Sequence, residues 1–362
     1  AAVAATAGAQ EPNTTFFTWF GAPSGSGEYF SVVYDSAANP NETIVVERNA
    51  TTGRVLSRFG GGSIAAGIAA DPDGRVFVSS LDGTVTVYDR RGSTYRQVET
   101  WTLDPPGPAA DTIVGGPLVR AAGGYTVVAA NRQPQGLVPP SWLGLLVLDA
   151  DGDTVASWEV PAESLPPNAF VLPQAVSRAP SGEIFVNGIP CQAFLCGSPV
   201  QPDGYLYQLA LVPGGSGGAP ALAQTGRWAS DQLPDVSSAA ALDATRLVTV
   251  GGGSGDGTPI GGGLPSGRDF GSPGLGPRFA EEYELSADGT LARVGLIRGL
   301  LNPAWVSFDP RGRSGTIFMT ENTSGTRVIV ERIAKRATRW QRPGRPGRAA
   351  GGPAGPRIVP GG

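Results

Sequence analysis

The feature that most constrains this chain is a hairpin that keeps returning. Residues 67–92 read "GIAADPDGRVFVSSLDGTVTVYDRRG": short alternating apolar runs broken by Asp71-Pro72-Asp73-Gly74 and by Asp82-Gly83. Alternation with a period of two, bounded by turn-forming residues, marks antiparallel strands. Related turns are centred near residues 23, 72, 122, 180, 243 and 310. Two are Ala-Pro-Ser-Gly, one is Asp309-Pro310-Arg311-Gly312, and Ala122-Gly123-Gly124 and Asp243-Ala244-Thr245 hold the place elsewhere. The spacing grows from about 50 residues to the high sixties, as four-strand units carrying insertions would space themselves.

After each hairpin comes a third strand: "TIVVER", "TVTVYD", "LGLLVLD", "GYLYQLAL", "FAEEYEL" and "RVIVERI". A fourth follows: "RVLSRFG", "QVETWTL", "TVASWEV", "AQTGRWA", "LARVGLI" and "ATRW". Aromatic residues recur in this last strand as Phe59, Trp101, Trp158, Trp228 and Trp340; only the fifth unit has Leu296-Ile297 instead. A lone four-strand sheet leaves a face uncovered, whereas radial stacking covers both faces and leaves short edges. The outer-strand aromatics are then expected to pack between neighbours. The predicted fold is all-β: a six-bladed β-propeller, four antiparallel strands per blade, over residues 13–340. Residues 1–12 are expected to be an Ala-rich leader remnant. Residues 341–362, rich in Pro, Gly and Arg without apolar period, are expected to be a disordered tail.

"GIAADPDGRVFVSSLDGTVTVYD" resembles NHL repeats and the related SMP-30/gluconolactonase-like six-bladed propellers, and "ERNATTGRVLSRFG" is similar to the outer hairpin of PQQ-type repeats. The likeness covers one unit well and the others loosely. It implies a fold that hosts many activities.

Composition removes several of those. The chain has no histidine, which excludes His bases, His-ligated zinc and Ser-His-Asp triads. Propeller enzymes that rely on channel histidines are excluded in their usual mechanism. Nothing supplies the ring of Trp motifs or the cofactor base of a PQQ dehydrogenase. The run "GGGSGDGTPIGGG" lacks a following Gly-Lys-Ser/Thr and reads as linker. Asp149, Asp151 and Asp153 imitate the start of a calcium loop, but their expected use is a turn.

Export is expected from three features. "AAVAATAGAQ" contains an Ala-x-Ala sequence, which also fits a plain Ala-rich end. Four Asn-x-Ser/Thr sequons, at Asn13, Asn41, Asn49 and Asn322, are candidate glycosylation sites. Cys191 and Cys196, in "CQAFLC", would form a disulfide in an oxidising compartment; two thiols alone cannot complete a zinc site. No run of 18 apolar residues offers a membrane span. The tail carries four Arg and no acid, too few for firm nucleic-acid attraction, so nucleic acid is not an expected partner.

Function is expected on one rim. In a propeller, the link from the second to the third strand of a blade emerges on the same face as the link between blades. That second-to-third link is short in unit 2 but long in unit 3 ("NRQPQGLVPPSW"), unit 4 ("NGIPCQAFLCGSPVQPDG") and unit 5 ("GGGSGDGTPIGGGLPSGRDFGSPGLGPR"). Long loops on a rigid scaffold commonly carry recognition. Candidate ligand-binding residues are Asn131, Arg132, Trp142, Asn187, Asp203, Arg268, Asp269 and Arg278, beside Asp256. The expected partner of this monomer is a protein or glycan, with no cofactor and no catalytic residue. The alternative implied by the resemblance is a metal-dependent lactonase. There Asn131 and Asn187 would help hold Ca2+ in the central channel, although no Glu-Gly-Pro motif of the first blade is present.

Overall fold

The computed structural model describes residues 16–24, 26–35, 43–50, 52, 54–60, 63–135, 139–161, 168–192, 195–196, 204–214, 218–229, 238–250, 279–298, 303–308, 316–322, 326–332 and 358–359. The first blade is β1 (Phe16–Pro23), β2 (Glu28–Asp35), β3 (Thr43–Asn49) and β4 (Val55–Phe59). The second is β5 (Ala65–Ala70), β6 (Val76–Ser80), β7 (Thr84–Arg91) and β8 (Thr94–Thr102), and the third is β9 (Thr112–Arg120), β10 (Thr126–Gln133), β11 (Trp142–Leu148) and β12 (Thr154–Glu159). The fourth contains β13 (Ala169–Arg178), β14 (Ile184–Gln192), β15 (Leu195–Cys196), β16 (Tyr205–Val212) and β17 (Ala221–Ala229). The fifth is β18 (Ser238–Asp243), β19 (Arg246–Val250), β20 (Phe279–Leu285) and β21 (Leu291–Arg298). A last sheet has β22 (Pro303–Phe308), β23 (Thr316–Asn322) and β24 (Thr326–Arg332), and β25 (Ile358–Val359) lies beyond it in sequence.

Each sheet is an antiparallel meander whose first strand is innermost. Those first strands follow one another around a ring: β1 packs on β5, β5 on β9, β9 on β13, β13 on β18, β18 on β22, and β22 on β1. Two expectations need correction. The structure has five blades of four antiparallel strands, not six. The last repeat forms only the three-stranded sheet β22–β24 among the described residues, and 337–340, read as its fourth strand, lies outside them. Beyond Ile333 the sequence turns to Lys, Arg and Pro without two-residue apolar alternation, so the pattern that specifies a strand fades. The tail is also not wholly without structure: Ile358 and Val359 pair with Ile297 and Leu296 of β21, adding a fifth strand to the fifth blade.

The seams between blades form the core. Central strands of a blade can be buried on both faces, as in β6 and β11, because each sheet is covered on two sides. The first seam joins Phe30, Val45 and Phe59 to Ile68, Val78, Tyr88 and Tyr95. The second joins Phe77, Val85, Val87 and Trp101 to Leu118, Val128, Leu146 and Leu148. Across the fourth seam, Trp228 packs with Leu247, Tyr283 and Leu285 and donates its indole N–H to the Ser286 carbonyl at 3.3 Å. The outer-strand aromatics thus sit where the repeat pattern puts them, with Phe59, Trp101 and Trp228 buried and Trp158 half-buried. Trp340 lies outside the described residues.

Turn chemistry repeats with the strands. Asp71 Oδ1 accepts hydrogen bonds from the backbone N–H groups of Asp73 and Arg75, and Gly74 takes the left-handed φ of +92° that closes the turn. Asp149 does the same for Asp151 and Asp153, so this acidic run is a turn. A second device is Asp-x-Thr. Asp82, Asp243 and Asp288 each accept both the N–H and the hydroxyl of the threonine two residues on.

These carboxylates make stability depend on pH. Burial raises the pKa of Asp82, but hydrogen bonds from Ser63 and Thr84 outweigh it and hold the group below its ordinary 3.8. Asp243 is likewise held low against burial by Thr245 and Arg246, and exposed Asp288 by Thr290. A depressed carboxylate contributes stability above its unfolded pKa and loses it as pH falls through the folded one. Unfolding free energy is therefore expected to be insensitive to these groups from pH 7 to 5 and to drop below about pH 4. Urea midpoints at pH 7, 5, 4 and 3 check this; a decline already under way between pH 7 and 5 would implicate other groups.

Candidate functional site

The links between blades and the second-to-third-strand links share one face, as the sequence reading requires. Leu81 N–H bonds to the Ile64 carbonyl at 2.8 Å, Leu103 N–H to the Gly83 carbonyl at 2.9 Å, and Ser141 Oγ donates to Asp111. On this face two expected ligand-binding residues are engaged by the protein itself. Arg132, only 7% exposed in its side chain, reaches back to the link 103–111. Its Nε donates to the Pro105 carbonyl, its Nη1 to the Pro108 carbonyl at 2.9 Å, and its Nη2 to Asp104 Oδ1 at 2.8 Å. Trp142, directly opposite Arg132 in the β10–β11 register, is buried in the second seam with Leu146 and Leu148.

Asn131 precedes Arg132 and faces the other side of β10. Its Oδ1 is buried and makes no hydrogen bond among the described residues. Asn187, in the next blade, is buried on β14 between Ala175 and Leu206. Asp203, Asp256, Arg268, Asp269 and Arg278 lie outside the described residues, as do Asn13 and Asn41. Asn49 Oδ1 caps a local turn, accepting from Thr52 N–H at 2.8 Å and Thr52 Oγ1 at 3.0 Å. Asn322 ends β23, opposite Thr326.

The fourth blade has a feature that its loop length alone did not show. β13 and β14 pair over nearly their whole lengths, Ala169 with Gln192 through Arg178 with Ile184. The pairing of β14 with β16 stops at Gly188. The overhanging part, Ile189–Gln192, instead pairs with β15, setting Cys191 opposite Cys196 and Gln192 opposite Leu195. A three-stranded finger therefore rises past the third strand of its blade. Within it Cys191 is fully buried and packed by Phe170 and Leu172. The signal in the sequence was the apolar run "AFVLPQAV" preceding the hairpin, longer than the first strand of the second blade needs.

Calcium takes six to eight oxygen ligands. Asn131 Oδ1 is suited to such a role, but among the described residues no group of three or more His, Cys, Asp or Glu side chains could hold a metal. Among the described residues no helix is long and apolar enough to cross a membrane.

No protein-family model matches the chain, and no curated protein matches it. Solved structures do. Hydrazine synthase of Kuenenia stuttgartiensis superposes with a TM-score of 0.50 at 11% identity, covering 90% of this chain and 97% of that one. The Cps50 (Swd1) β-propeller domain of Myceliophteria thermophila gives a TM-score of 0.48 at 9% identity, covering 89% and 99%. At 11% identity the first of these speaks to architecture alone. By fold, then, the chain is a β-propeller, its ring of sheets decorated at one face by the finger of the fourth blade.

Proposed function

We propose that the protein is a secreted or cell-surface recognition scaffold that takes a protein or glycan partner on the face bearing the extended links of blades three to five. The observation that carries this reading is the finger. A hairpin that extends beyond the third strand of its blade and is held there by backbone pairing presents groups to a partner at little ordering cost. Arg132 and Trp142 then act as supports, with contact left to the finger and to the segments 193–203 and 251–278. Export is supported by the register of Cys191 and Cys196. Directly opposed residues of an antiparallel pair lie within disulfide reach, and among the described residues no cysteine is free. A bridge there would stabilise the finger by about 2 kcal/mol on the loop-closure model.

The test is retention on glycan and protein arrays by the wild-type chain and by a variant with Cys191–Cys196 replaced by Gly-Ser residues. The variant is expected to stay folded at a lower urea midpoint, having lost the buried Cys191 and the β14–β15 pairing, and to lose every array signal that the wild type gives. Equal retention by both would remove the finger from the interface. Thiol titration of the unreduced, unfolded protein is expected to find no free thiol, and two thiols would end the disulfide part of the proposal.

A lactonase of SMP-30 type is favoured by one observation, the buried and unbonded Asn131 Oδ1. Calcium at one per chain in the purified protein, lost together with lactone hydrolysis on Asn131→Ala, would establish that reading in place of the first.

A further inference from the structure

The seam between the first and second blades opens toward its outer end. β4 is five residues long whereas β8 has nine, so the first blade leaves part of its neighbour uncovered. Between them remains a cleft of about 250 Å3. The strand that lines it, β7, reads Thr-Val-Thr-Val-Tyr from Thr84 to Tyr88. Its two faces have opposite characters. Val85 and Val87 enter the dry seam with the third blade, whereas Thr84, Thr86 and Tyr88 face the cleft. A surface meant only to be covered by the first blade would call for apolar residues at both sets of positions.

The cleft is graded from floor to mouth. Val45, Val78 and Tyr88 are buried at its base beside buried Thr43 and Ser80, Thr43 Oγ1 accepting the Ala65 N–H, and Ser63, Asp82, Gln97 and Thr100 are exposed at its mouth. Register places Thr86 opposite Thr100 and Tyr88 opposite Gln97, so the polar groups form adjoining rows. The Thr86 hydroxyl makes no hydrogen bond among the described residues, although its backbone pairs with Val78 and Thr100. Gln97 Nε2 donates to Thr100 Oγ1 at 2.8 Å, which leaves the Thr100 hydroxyl proton and the Gln97 carboxamide oxygen to face outward. Asp82 is the one ionisable group of the lining that is charged near neutral pH.

The apolar patch of Val45, Val78 and Tyr88 within a hydroxyl and amide lining suits a ligand that is itself apolar on one face and hydroxylated at its edge. We infer that this cleft binds a single neutral pyranose unit, its C–H face toward Val78 and Tyr88 and its hydroxyls toward Thr86, Gln97, Thr100 and Asp82. The open mouth leaves room for a glycosidic bond to continue outward. The carboxylate sets the charge preference: an acidic sugar brings a second negative charge close to Asp82 and is repelled.

The experiment is ligand-observed NMR and calorimetry on the full chain with methyl glycosides of glucose, galactose, mannose, N-acetylglucosamine and glucuronic acid. At least one neutral glycoside is expected to saturate at millimolar concentration, and the glucuronide is expected not to bind. Thr86→Val combined with Gln97→Leu is expected to weaken the neutral ligand at least tenfold while the urea midpoint stays put. Thr100→Val, on the exposed outer strand, provides a second variant with the same expected direction. Asp82→Asn keeps an oxygen for Thr84 and is expected to admit the glucuronide. Absence of saturable binding by every neutral glycoside overturns the inference, as does undiminished binding by both hydroxyl variants. The finger variant described above is expected to bind the glycoside as the wild type does, so this inference and the proposed function fail separately.

Discussion

Trp101→Ala is expected to cost about 3–5 kcal/mol of folding stability, the range for removing a buried large aromatic side chain. The ring is 5% exposed at the outer end of the second seam. It lies in one cluster with Phe77 of its own blade and Leu118, Leu146 and Leu148 of the next, and its indole N–H reaches Glu99 at 2.9 Å. Truncation strips contacts from two blades at once. A second cleft beside it, of about 230 Å3, already has Trp101 in its wall. Water can enter the enlarged space, which places the expected loss at the lower end of the range. Urea unfolding followed by circular dichroism measures it, with Trp158→Ala as the comparison. Trp158 is half-buried and meets Tyr207 of the next blade edge to face at 5.3 Å, so its loss should cost roughly half as much. If the two substitutions cost the same small amount, outer-strand aromatics do not hold the blades together.

Arg132→Met is expected to cost about 2–3 kcal/mol, and the route of that loss distinguishes a supporting residue from a ligand contact. Methionine keeps the aliphatic stem that lies beside Gly107, whose φ of +129° lets the link come close. What goes is the donor set for two proline carbonyls and Asp104. Asp104 is 82% exposed and rehydrates freely, so its ion pair contributes little. The cost comes from the buried Pro105 carbonyl, because exposed Pro108 keeps the Asp111 N–H at 3.2 Å on its own carbonyl. Limited proteolysis is expected to open the chain within 103–111 in the variant and not in the wild type. An unchanged urea midpoint, together with lost partner retention, would return Arg132 to the interface.

Those two residues also show how far sequence patterns reach. Trp101 was placed correctly because its position follows from a local repeat: two-residue alternation, a turn, and an aromatic near the end of each fourth strand. Arg132 and Trp142 followed an equally sound rule, that Arg and Trp in loops on a scaffold anchor partners. The rule fails to separate the partner from the protein's own neighbouring link, because Asp104 and Pro105 lie 28 and 27 residues back in the chain. The hydroxyl row of β7 was legible as Thr-Val-Thr-Val. Which set of side chains would be dry, however, depended on how much of the second blade the short β4 covers.

Read alone, the sequence determined the strands, their turns, the order of the sheets and the positions of the inter-blade aromatics. Each of these is encoded within some ten residues, by side-chain period and by the conformations that Gly, Pro and Asp permit. Tertiary structure decided the rest. It set the number of four-stranded blades, the pairing of Ile358–Val359 with β21, the rise of the finger above its blade, and the open seam beside Thr86. Those outcomes depend on which distant strand covers or fails to cover a given face. Burial and hydrogen-bond satisfaction there are settled between segments that share no local pattern.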